Sequence, residues 1–177
     1  MGTLSVVVGA TACTAAVLTD VAWRRVPNWI TLPLLLLAPV ATGLELGSRS
    51  ALVSLAIVSA FIGIGIVIHG AGLLGGGDIK LLAGVAALFG LPACISFALY
   101  TAVAGGILAL VFAAHRSELN ALLTGLFRRV GTSLLTARLS TETTRSSNAR
   151  MPYALAIGAG FAITTAANAV PILRIFH

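Results

Sequence analysis

Residues 51–69 read ALVSLAIVSAFIGIGIVIH and contain no Asp, Glu, Lys or Arg. A helix crossing a hydrocarbon core of ~30 Å needs ~20 predominantly apolar residues, and this stretch supplies them. It has company on both sides. Apolar runs cover roughly 4–22, 29–46, 79–91, 92–114 and 151–174 as well, so about six transmembrane helices are predicted. The whole chain is 58% hydrophobic and only 9% charged, a composition that belongs in a bilayer. The expected fold is all-α: a polytopic integral membrane protein forming a single membrane-embedded domain over 1–177.

Charge placement orients it. With the amino terminus away from the cytoplasm, the cytoplasmic side receives Arg24, Arg25, Lys80, Arg116, Arg128, Arg129, Arg138, Arg145 and Arg150, and the other side only Arg49 and Arg174. That bias follows the positive-inside rule. Trp23 and Trp29 flank the first loop, where amphipathic rings favour the headgroup level. The net charge of +6 is therefore read as membrane orientation, with the lipid bilayer as partner and no nucleic acid. The first 23 residues hold no Lys or Arg, so the first span is expected to stay attached rather than serve as a cleaved signal. Between about 115 and 150, Leu119, Leu122, Leu123, Leu126, Phe127 and Val130 recur at helical spacing, predicting a cytoplasmic interfacial amphipathic helix. A polar linker, STETTRSSNAR at 140–150, follows it. Cys13 and Cys94 lie far apart in apolar spans without a Cys-x-x-Cys pair, so no metal site and no cofactor are expected.

Ionisable chemistry is scarce enough to be informative. The acids are Asp20, Glu45, Asp78, Glu118 and Glu142, and both aspartates fall at cytoplasmic ends of spans. A carboxylate at membrane depth costs a few kcal/mol, which argues for use. Asp78 follows three glycines in GGGDIK, Gly75 to Lys80. Those glycines allow close approach of backbone or substrate and predict irregular backbone beside a wet cleft. A purely structural role is open to each acid: Asp78 as the N-cap of the fourth helix, and Asp20 as a partner for Arg24 four residues on.

The surroundings of the two acids say more together. The stretch DVAWRRVPN, Asp20 to Asn28, resembles the first signature of the type IV prepilin peptidases, in which an Asp is followed by basic residues and a Val-Pro-Asn turn. GGGDIK is similar to their second, Gly-x-Gly-Asp-x-Lys. The order, the spacing and the late Met151-Pro152-Tyr153 before the last span fit the same family, although Met151-Pro152-Tyr153-Ala154 matches its final motif imperfectly. The resemblance implies a multi-pass GxGD aspartic-type endopeptidase of the bacterial inner (cytoplasmic) membrane. Such an enzyme removes the leader of prepilins and pseudopilins at the cytoplasmic face, in contact with the assembly machinery of a type IV pilus. It implies Asp20 and Asp78 as catalytic dyad, with Arg25, Pro27, Asn28, Gly75, Gly77 and Lys80 as supporting motif residues. No paired Cys-x-x-Cys insertion is present, which resembles the short, peptidase-only branch of the tight-adherence (Flp) type, so N-methyltransferase activity is not expected.

The physical reading of the pair is compatible. Two neighbouring carboxylates hold one proton between them, and the ionised one can activate water while the other donates to a carbonyl. Pro27 and Asn28 are expected to turn the chain and cap the second span. Lys80 is expected to tune the dyad, meet a substrate carboxylate, or simply anchor the membrane surface. His69 ends the third span as either a solvated residue or a participant. The alternative function is a small ion- or proton-coupled transporter subunit, since membrane carboxylates beside a glycine break also bind cations.

Overall fold

The computed structural model describes residues 1–70, 74–115 and 153–169. Six helices account for them: α1 Thr3–Trp23, α2 Asn28–Leu46, α3 Ser48–Gly70, α4 Gly76–Phe89, α5 Ala93–His115 and α6 Tyr153–Ala169. No strand occurs among the described residues. Four helices, α1, α2, α3 and α5, are long and apolar enough to cross a membrane, whereas α4 and α6 are shorter. The amphipathic helix expected around 115–150 and the linker that follows lie outside the described residues, as does the end of the sixth apolar run.

The chain divides into two compact units, Met1–Gly105 with Pro152–His177, and Gly106–Met151. In the second, the described part is the remainder of α5, which exposes Ile107, Leu110 and Val111. In the first, α4 lies at the centre and packs against α1, α2, α3 and α6. Ile79, Leu81 and every residue from Ala83 to Phe89 are buried. Leu18, Leu36, Leu52, Ile66 and Val67 point outward instead, an arrangement suited to lipid rather than water.

Small residues let the helices approach. A Cβ on Gly65 of α3 would overlap the Ile79 side chain of α4, and one on Gly84 of α4 would come within 2.7 Å of Leu34 on α2. Such contacts are the usual basis of helix association where lipid supplies no hydrophobic drive. Several hydroxyls find partners: Thr14, Thr19 and Thr42 donate to carbonyls four residues back, and Ser54 donates across to Ala87 of α4 at 3.1 Å. Pairing leaves no polar group to be solvated by hydrocarbon at these points.

Two boundaries differ from the expected ones. The fourth helix starts inside the glycine run, at Gly76, and ends at Phe89, where Gly90 takes a φ of 67° that favours glycine. The fifth begins at Ala93 rather than Pro92. Glycine weakens helices in isolation, but packing of this turn against the first loop, described below, rewards helical backbone there.

Glu45 has a role that its sequence did not disclose. Near the end of α2, its carboxylate accepts from the amides of Leu4 and Ser5 and from the Ser5 hydroxyl, closing the amino-terminal turn of α1. The orphan amides of a helix start need such an acceptor, and an anion suits that end. Glu45→Ala is expected to cost about 1 kcal/mol, in the range of a lost cap, and to lower the melting temperature in detergent. An unchanged melting curve would remove Glu45 from the account of stability.

Candidate active site

Asp20 occupies the last turn of α1 and is only 5% exposed. Its Oδ2 accepts the backbone N–H of Ala154 at 3.0 Å. Ala154 is the second residue of α6, where amides have no partner inside the helix and the dipole favours an anion. The chain then leaves α1 through Arg24, which closes the helix in left-handed conformation, φ 53°, with its amide donating to the Asp20 carbonyl at 2.8 Å.

The following loop runs directly into the glycine run. A Cβ on Gly77 would lie 2.6 Å from the Val26 carbonyl oxygen and 3.2 Å from its Cβ, so the absence of a side chain is what permits this contact. Three residues on, Lys80 donates from Nζ to Asn28 Oδ1 at 3.0 Å. The two stretches carrying the aspartates are thus tied to each other by a van der Waals contact and a hydrogen bond.

Asp78 sits in the first turn of α4, half-buried, with its carboxylate folded back over Gly75: a Cβ there would come within 2.8 Å of Oδ2. Tyr153, the first residue of α6 and neighbour of Ala154, places its phenol within electrostatic range of Asp78. The start of α6 therefore holds Asp20 directly, through an amide, and carries a phenol that senses the charge of Asp78.

Two expectations need correction. Asp78 is not the N-cap of α4; Gly75 holds that position, extended at φ −74° and ψ 147°, without a side-chain cap bond. Asn28 does not cap α2 either, because Pro27 occupies the N-cap with φ −75° and Asn28 is already helical, its side chain engaged by Lys80. Proline's fixed φ suits that place without a capping side chain. Lys80 spends an amine hydrogen on Asn28, a partner not among those expected for it. Arg25 lies exposed in the loop between α1 and α2. His69, at the end of α3, faces the glycine run.

The sequence reading missed the Ala154 amide and Tyr153. A signal was available in Met151-Pro152-Tyr153, since proline is common where helices start, but nothing local says that this start meets residues so far upstream. Residues 7–110, more than half of the chain, match the model of the type IV leader peptidase family. The matched stretch takes in Asp20, Asn28, Gly75, Gly77, Asp78 and Lys80. No match was found among curated proteins or solved structures.

Proposed function

Because the chain belongs to the type IV leader peptidase family, we propose that it is an aspartic endopeptidase that cuts the leader from a prepilin or pseudopilin at the cytoplasmic face of a bacterial inner membrane. The observation that carries this reading is the meeting of the two aspartate stretches, Gly77 against Val26 and Lys80 on Asn28, with the first turn of α6 holding Asp20 by an amide. Asp20 and Asp78 form the dyad. Like charges brought close keep one proton between them.

The chemistry then needs only water and the two carboxylates. The ionised one takes a proton from a water molecule as its oxygen attacks the scissile carbonyl, and the protonated one gives its proton to the carbonyl oxygen. A tetrahedral diol forms. On its collapse the C–N bond breaks, the amine departs with a proton returned by the first carboxyl group, and one diol hydroxyl gives its proton back to the second carboxylate as the new carbonyl forms. Gly75 and Gly77 give the clearance that lets Asp78 fold back and the first loop approach. Lys80, Asn28 and Pro27 hold that loop against α4.

Arg24, Arg25 and Lys80 lie at the same end of the first unit as Asp20 and Asp78, and Arg49 lies at the other, which supports a cytoplasmic site. A maleimide that cannot cross the membrane should label Ser48→Cys from outside whole cells and spare Trp29→Cys; the reverse pattern would invert the orientation. Function is tested by co-expressing the chain with candidate prepilins and sequencing the amino termini of the products by mass spectrometry. Shortened pilins carrying a new amino terminus are expected, and intact prepilin across the panel would sink the assignment.

A further inference from the structure

We propose that His69 is a positioning residue for cleavage, anchoring the glycine run so that Asp78 is held in its working place. The inference rests on the peptidase reading above and adds to it a residue outside both aspartate stretches. His69 lies in the last turn of α3. Its Nδ1–H donates to the carbonyl oxygen of Leu74 at 2.8 Å, and its ring lies alongside Gly76, with Cε1 4.0 Å from where a Cβ would stand.

The need for an anchor follows from what the run lacks. Gly75, Gly76 and Gly77 have no side chains with which to grip their surroundings, and glycine loses more conformational freedom on ordering than any other residue. The N-cap position, Gly75, makes no side-chain cap bond. Downstream, the first turn of α4 is fixed by the Val26 contact at Gly77 and by the Lys80–Asn28 bond. On the upstream side, the hydrogen bond from His69 fixes Leu74, the residue that leads into the run. Asp78 folds back over Gly75, so a shift at 74–76 is passed on to its carboxylate. Displacing a reacting group by ~1 Å can cost two orders of magnitude in rate. The donor must be Nδ1–H, the less common neutral tautomer of a free imidazole, and it is the Leu74 carbonyl that selects it.

Two measurements test this. The first is independent of activity: ¹⁵N NMR of the histidine-labelled protein at about pH 8.5, where an ordinary imidazole is neutral, with the His69 signal assigned by its loss in His69→Asn. A neutral His69 protonated at Nδ1 is expected, and protonation at Nε2 would overturn the anchor. The second is kinetic. His69→Ala should lower kcat for leader removal about tenfold with little change in KM, because transition-state alignment is lost rather than substrate binding. His69→Asn, whose side-chain amide donates from the position of Nδ1, should recover most of that loss, at a melting temperature equal to that of the Ala variant within a few degrees. Wild-type kcat in His69→Ala, or no recovery with Asn, would overturn the positioning role. If the unaltered protein cleaves no prepilin, the failure belongs to the peptidase reading, and the tautomer measurement still decides whether His69 holds the run.

Discussion

Asp78→Asn and Asp20→Asn are each expected to reduce leader removal by about 10³-fold or more while protein continues to accumulate in the membrane. General acid–base catalysis supplies ~10²–10⁴ for a single proton-transferring group. Each carboxylate in the proposed pair does this work twice, at attack and at collapse. Asparagine keeps the size and can still accept a hydrogen bond, so the Ala154 amide retains its partner at position 20 and folding is preserved. It cannot exchange a proton. The measurement is single-turnover cleavage of a prepilin in liposomes, alongside membrane abundance and melting temperature. Processing within tenfold of wild type by either variant would remove that residue from the dyad.

Gly77→Ala should have the next largest effect, through a single methyl group. The new Cβ would stand 2.6 Å from the Val26 carbonyl oxygen, a backbone atom that cannot rotate out of the way. Either the loop between α1 and α2 retreats or the first turn of α4 does. The loop is held at one end by the Arg24 amide on Asp20 and at the other by Asn28, so retreat disturbs the ties that bring the two aspartate stretches together. Overpacking of this kind costs about 1–3 kcal/mol, and the accompanying displacement should lower cleavage by ~10²-fold. Gly76→Ala provides the contrast, since its Cβ would meet nothing closer than His69 at 4.0 Å and should leave activity near wild type. Equal behaviour of the two variants, in melting and in cleavage, would refute the contact as the cause.

Much of this was legible in the residues because hydrophobic runs and two acids in a poor ionisable inventory are local signals. The apolar runs around α1, α2 and α3 are recovered to within a few residues. What eluded the sequence was non-local. The Ala154 amide reaches Asp20 across a separation of 134 residues, Lys80 meets Asn28 across 52, and Glu45 closes α1 from 41 residues away. No periodicity encodes which ends meet. Asn28 is the instructive case: its residue type favours capping, yet Pro27 already sets the backbone and the side chain is freed to accept from Lys80. The glycine run misled in the same manner, because a propensity measured on isolated helices omits the packing of Gly77 on Val26.

The length of α4 bears on how such a protein is made. Its 14 residues extend about 21 Å at 1.5 Å each, short of a ~30 Å hydrocarbon core, and nearly all of its surface is covered by other helices. A segment like that has little to gain by partitioning into lipid alone during synthesis. Its cover comes from α1, α2, α3 and α6, so a stable place for α4 in the membrane depends on those helices being there. An assembly lacking them would leave the apolar face of Ile79 to Phe89 uncovered.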